Sequence, residues 1–238
     1  MRLPRRRPRS CSCTTHWAAC GCGALLYDRW GSGDSEPLAP PYARDYLRQE
    51  ALGSLPEVLA QTGVRDAILI GQSDGASIAL AYAGAFPALV RGVIALSPHL
   101  FVEARTLAAI ANQVRDYTEG DLKSRLRRHH GASTEPLFER LVEVWTAKQA
   151  GESWGQEPQV ARVRCPVLAI QGEDDEFFTV AQLEALARLL PGRLDTLRIP
   201  GCGHYPLHQA RNEVLAASIR LIRAVGVRNS NASTGPSS

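Results

Sequence analysis

The chain has 238 residues, 45% hydrophobic and 21% charged, which suits one sizeable α/β core with an insertion, and no apolar run approaches the roughly 20 residues of a membrane-spanning helix. The net charge of +3 is local. Arg2, Arg5, Arg6, Arg7 and Arg9 fall in residues 1–20, which hold no acid, leaving 22 Lys and Arg against 24 Asp and Glu elsewhere; a body without basic bias gives no case for nucleic-acid binding.

Residues 1–22 read unlike the rest. Their arginines and missing acids fit a transit peptide, whereas a stretch interrupted by Cys, Thr and His lacks the apolar core of a secretory signal. Cys11, Cys13, Cys20 and Cys22 with His16 could be drawn as a metal site, but the C-x-C-x6-C-x-C spacing matches no zinc pattern. The favoured expectation is a segment that is no folded element, from an out-of-frame or mis-started beginning. Cys165 and Cys202 fall at core positions and are expected as buried free thiols in a reducing, cytoplasmic compartment.

Gly23 to Tyr27 (GALLY) is predicted as a short strand running into the loop Asp28-Arg29-Trp30-Gly31-Ser32-Gly33-Asp34-Ser35. Glu36 to Tyr42 is proline-rich and irregular. Tyr46 to Thr62 is a helix candidate, with Leu47, Leu52, Leu55, Val58 and Leu59 on its apolar side and Gly63 ending it. Ala67 to Ile70 has the length and β-branched content of a buried strand, and Ala76 to Ala85 is a run of helix formers. Between them stands Gly71-Gln72-Ser73-Asp74-Gly75, a G-x-S-x-G nucleophile elbow in the strand–turn–helix setting that its mechanics require. A turn this sharp crowds the backbone at both ends, hence the flanking glycines. The serine projects at a helix N-terminus, which favours developing negative charge; the plainer reading is a capping serine between turn glycines. Gly92 to Leu96, closed by Ser97-Pro98, is another strand, and the alternation argues a parallel sheet.

From His99 to Glu157 the alternation stops. Leu107, Ile110, Val114 and Tyr117 share one helical face, and Leu137, Phe138, Leu141, Val144 and Trp145 another. We read this segment as a helical cap over the sheet's carboxyl edge. Trp145, Trp154, Phe101 and Phe138 are candidates to line an apolar substrate cavity or, individually, cap core. His129 and His130, beside Arg127 and Arg128, read as a solvated helix end. The sheet resumes with the strand Pro166 to Ile170, then Gln171-Gly172-Glu173-Asp174-Asp175-Glu176, and Thr179 with Gln182 is a candidate capping box for a helix to Leu190. Leu194 to Ile199 alternates like a strand, Pro200 to Pro206 turns, and Gln209 to Val225 is a helix. The tail from Gly226 reads as disordered, with an idle sequon at Asn231.

A serine hydroxyl is a weak nucleophile until an imidazole takes its proton, and the imidazole works best when a carboxylate fixes its tautomer. Ser73, Asp175 and His204 supply these types in the order Ser…Asp…His, each beyond the carboxyl end of a predicted strand. From Gly23 to Val225 the sequence resembles the α/β-hydrolase superfamily. YDRWGSGDS is similar to its loop after the fourth strand, GQSDG to its elbow, PVLAIQGEDD to its acid-bearing strand and turn, and PGCGH to its histidine turn. The resemblance implies Ser73, Asp175 and His204 as catalytic triad, with Asp175 preferred over Asp174 and Glu173, and the backbone amide of Asp74 as an oxyanion donor. No cofactor and no metal are implied, and the partner is a small acyl substrate; the sequence leaves the oligomeric state open.

Serine followed by aspartate resembles the valacyclovir-hydrolase-like branch, in which the acid receives a substrate amino group. That would make Asp74 a substrate-binding residue; the alternative is a first-turn acid favoured by the helix dipole. The expected organisation is a non-matching segment 1–22, core 23–98, cap 99–157, core 158–225 and tail 226–238. The expected fold is an α/β-hydrolase with a mostly parallel sheet, helices on both faces and a cap, truncated at its N-terminus. Full members carry further strands and an oxyanion loop before the YDRWGSGDS-like stretch, so a sheet edge is expected to be exposed and the chain to be aggregation-prone or weakly active. The function expected is hydrolysis of an ester or other activated acyl bond, with ligand binding without turnover, or acyl transfer by the same triad, as alternatives.

Overall fold

The computed structural model describes residues 23–33, 35–36 and 43–226. The expectations for the leader, including its cysteines and His16, for most of the proline-rich stretch and for the tail beyond Gly226 lie outside those residues. Among the described residues no helix is long and apolar enough to cross a membrane.

Strands β1 (Ala67–Gln72), β2 (Val90–Leu96), β3 (Val167–Gly172) and β4 (Leu194–Ile199) form a four-stranded sheet in the order β1-β2-β3-β4, every pair parallel. The apolar runs of β2 and β3 suit strands covered on both faces, and these two are buried almost throughout. On β2, Val93 and Ala95 belong to one core cluster and Ile94 and Leu96 to another; on β3, Val167 and Ala169 divide from Leu168 and Ile170 in the same way. This period of two makes each strand serve two cores. The first face is covered by α1 (Tyr46–Gln49), the π-helical turn Glu50–Ser54, α2 (Leu55–Gln61) and α3 (Asp74–Ala85), and the second by α10 (Arg211–Val225).

The segment 99–157, expected as a cap, contains α4 (Ala104–Glu119), α5 (Leu122–His130) and α6 (Thr134–Thr146), followed by the short α7 (Glu157–Val160). Tyr117 of α4 stacks on Phe138 of α6 with ring centroids 3.8 Å apart. After β3 come α8 (Ala181–Leu189) and, beyond β4, α9 (Pro206–Gln209).

Three expectations need correction. Gly23 to Tyr27 forms no strand; Leu25 and Tyr27 pack against the core while Leu26 is 63% exposed, so the alternation survives without a ladder. Thr179 and Gln182 do not form a capping box, because the Gln182 side chain instead donates to the Phe101 carbonyl and to Glu103 and accepts from the Leu100 amide. The reciprocal box caps α4, between Glu103 and Thr106. His130 is not simply solvated, since its Nδ1 accepts a 3.1 Å hydrogen bond from the Gly33 amide.

Candidate active site

Parallel strands end at one edge of the sheet, and there the chain gathers its chemistry. Ser73 follows the last residue of β1 and precedes the first of α3, with φ 53° and ψ −119°, a left-handed backbone that a residue bearing Cβ adopts only under constraint. Its amide is tied to the Leu96 carbonyl at 2.8 Å, and its own carbonyl accepts the amides of Ala76 and Ser77. The crowding at the elbow is one-sided. A Cβ on Gly71 would lie 2.2 Å from the Gly75 carbonyl carbon and oxygen, whereas one on Gly75 would meet nothing within 4 Å. The expectation that both glycines are sterically required therefore holds only for Gly71.

Asp175 lies three residues past β3 and is fully buried, while Glu173 and Asp174 face solvent and Glu173 pairs with Arg198 at 3.0 Å. Its Oδ1 accepts the amides of Phe177 (2.7 Å) and Phe178 (3.0 Å); its Oδ2 accepts Gln171 Nε2 and lies 2.9 Å from His204 Nδ1. A carboxylate can only accept, so the proton of this last bond sits on Nδ1. Nε2 is then left as the basic nitrogen. The histidine turn approaches the acid strand so closely that a Cβ on Gly172 would lie 2.2 Å from the Cys202 carbonyl oxygen. Gln72 Nε2 (2.7 Å) and Ser97 Oγ (3.0 Å) both donate to the His204 carbonyl, and Glu176 accepts the His204 amide at 3.1 Å. Ser97 is completely buried and also has positive φ, 47°. From α4, Arg105 donates to the Asp175 carbonyl at 2.6 Å and Thr106 to that of Phe177 at 2.7 Å, so this helix clamps the acid turn.

Asp74 sits in a polar cluster rather than an open mouth. Tyr46 Oη donates to its Oδ1 at 2.8 Å, His99 Nε2 lies 3.3 Å from the same oxygen, and Arg29 Nη1 and Nη2 both reach Oδ2 at 3.3 Å. Burial alone would raise its carboxyl, but the hydrogen bond from His99, the Arg29 charge and the Tyr46 hydroxyl hold it well below the usual carboxylate range. The carboxylate expected to wait for a substrate ammonium is thus engaged within the protein.

Trp145 and Trp154, candidates for a cavity wall, are each 5% exposed. Their rings contact each other at 4.7 Å and His99 at 5.1 and 5.9 Å, and Trp154 meets Tyr46 edge-on at 5.7 Å. They form the backing of the Asp74 cluster, and Phe138 is likewise core within the segment 99–157. Among the described residues Cys165 and Cys202 are buried and free, and burial pushes the Cys165 thiol up to about 11. Among the described residues no group of His, Cys, Asp and Glu is arranged to hold a metal ion.

Sequence reasoning did not assign Arg29, Tyr46, His99, Gln72, Ser97 or Gln171 to the site. For Gln72 and Gln171 a signal existed: Gln72 is the last residue of β1 and Gln171 the last but one of β3, each a polar residue closing an apolar run just ahead of the turn that carries a candidate residue.

A sequence profile of the alpha/beta hydrolase family matches residues 14–217, beginning inside the segment that the resemblance had left out. A curated relative, the 2-(acetamidomethylene)succinate hydrolase of Mesorhizobium japonicum, is 28% identical over 206 residues, covering 76% of this chain and 71% of that protein. Among solved structures, an E-2-(acetamidomethylene)succinate hydrolase superposes with a TM-score of 0.60 at 22% identity, covering 82% of this chain and 80% of the other. An esterase from Rhodococcus sp. ECU1013 superposes with a TM-score of 0.61 at 22% identity, covering 85% and 80%.

Proposed function

Since the chain belongs to the alpha/beta hydrolase family, we propose that it is a serine-dependent hydrolase of an ester or similarly activated acyl bond in a small substrate. The observation that carries this reading is the 2.9 Å bond from His204 Nδ1 to buried Asp175, at the same sheet edge as the strained Ser73 elbow. In this reading Ser73 Oγ attacks the acyl carbonyl carbon while His204 Nε2 takes the hydroxyl proton. The carbonyl oxygen becomes an oxyanion, towards which the Asp74 amide donates. Collapse breaks the acyl–leaving-group bond, and the imidazolium returns its proton to the departing group. Water, deprotonated by the same imidazole, then releases the acid and frees Ser73. Gln171, and the Phe177 and Phe178 amides, keep Asp175 oriented so that His204 stays in the tautomer with Nε2 free.

The test compares the wild-type chain with Ser73→Ala on a p-nitrophenyl ester and a fluorophosphonate label. Removing the nucleophile is expected to abolish labelling and to lower turnover by at least about 1000-fold. Equal background from both proteins would sink the enzyme reading in favour of a ligand-binding protein; an acyl group found on an added alcohol rather than on water would convert it to acyl transfer.

A further inference from the structure

The four contacts on Asp74 use the whole carboxylate. An ionised carboxylate offers about four lone-pair sites, and Oδ1 takes Tyr46 and His99 while Oδ2 takes both terminal nitrogens of Arg29. These partners come from three separate parts of the chain, and each is held in turn. The loop bearing Arg29 is tied to α6 by the bond from Arg140 to the Trp30 carbonyl (3.0 Å) and to α5 by that from the Gly33 amide to His130 (3.1 Å). Tyr46 abuts Trp154. His99 is completely buried, stacks on Phe178 at 4.8 Å, and exchanges backbone bonds with Ser77 Oγ of α3.

Two physical consequences follow for the neighbouring residue. A serine with positive φ is strained and persists only where its surroundings over-determine it. Asp74, the next residue, is pinned from outside the helix. The second consequence is electrostatic: an unpaired carboxylate in the first turn of α3 would oppose an oxyanion forming at its own amide, with an energy that grows as the site loses water. Arg29 cancels that charge.

Resting on the serine-hydrolase reading, we propose that Asp74 and Arg29 are positioning residues: their ion pair orients and neutralises the first turn of α3, which holds the oxyanion-binding amide. The site then takes acyl substrates with no ammonium group beside the scissile carbonyl. The pair is a strut, and Arg29 is the member whose loss costs more.

The experiment measures kcat and KM of wild type, Asp74→Asn, Arg29→Met and the double variant on a neutral p-nitrophenyl ester and on an aminoacyl p-nitrophenyl ester, with Ser73→Ala as background. Arg29→Met is expected to lower kcat on the neutral ester about 100-fold with little change in KM, because it leaves the carboxylate's charge uncancelled beside the oxyanion, Tyr46 and His99 still holding Oδ1. Asp74→Asn, nearly isosteric, is expected to lose only about 10-fold, and adding it to Arg29→Met to restore kcat to that of Asp74→Asn alone. Single losses that multiply in the double variant, or an Asp74→Asn effect confined to KM for the aminoacyl ester, would overturn the proposal while leaving the hydrolase reading intact. A turnover indifferent to Ser73→Ala overturns the hydrolase reading instead. In that event the backbone 15N resonance of Asp74 still decides: it is expected to shift and broaden in Arg29→Met, and an unchanged resonance refutes the strut.

Discussion

A methyl group on Gly71 would sit 2.2 Å from the Gly75 backbone, and one on Gly75 would touch nothing within 4 Å. The two substitutions should therefore separate cleanly. Gly71→Ala must force the strand and the helix apart at the elbow and is expected to cost roughly 3 kcal/mol or more. Gly75→Ala lies in the first turn of a twelve-residue helix, without positive φ, and is expected to be neutral or stabilising by up to about 1 kcal/mol. Urea denaturation of both variants checks this; equal losses would mean that the elbow has slack that this geometry denies. The same contrast explains a limit of motif reading. Both glycines belong to the pattern, but only Gly71 faces backbone.

At the scale of elements, strands and helices were legible because their signals are local. The runs Ala67 to Ile70, Gly92 to Leu96, Pro166 to Ile170 and Leu194 to Ile199 all lie in or at observed strands, and Ser73, Asp175 and His204 each follow the carboxyl end of one of them, with Asp175 bonded to His204. The polar supports were not legible, because they join residues far apart: Arg29 to Asp74 across 45 positions, Gln72 to His204 across 132. No window of sequence contains both ends. The attachment of α5 to the Asp28–Gly33 loop belongs to the same class, and it carries a pH signature. His130 Nδ1 must be unprotonated to accept the Gly33 amide, and burial, with the neighbouring His129, lowers its pKa below the ordinary 6.5 against an opposing pull from Asp28. A depressed pKa means that the unfolded chain binds the proton more readily. The contribution of this contact is thus complete above pH 6.5 and is lost as pH falls through the lower, folded value. His130→Ala is expected to lower Tm at pH 8 and to have a progressively smaller effect as the pH falls below 6.5. A Tm difference independent of pH would show that the ring acts by packing alone.

For the molecule as a whole, β1 is an edge of the sheet among the described residues. Among the described residues β1 pairs only with β2, and Ile70 is 61% exposed with Leu26 at 63%. An edge strand with exposed apolar residues invites pairing with other chains. Ile70→Lys is expected to leave the melting temperature within a few degrees while reducing self-association in light scattering at high protein concentration. Unchanged scattering would place the association surface elsewhere, or show that there is none. The bonds from Gln72 and Ser97 to the His204 carbonyl, which span 132 and 107 positions, also bear on how the chain acquires its structure. Contacts so distant in sequence close large loops and form late. Helix content and collapse can return while the His204 turn is still detached from Gln72 and Ser97, so under the proposed function enzymatic competence would be the last property a refolding chain regains and the first that a loosened one surrenders.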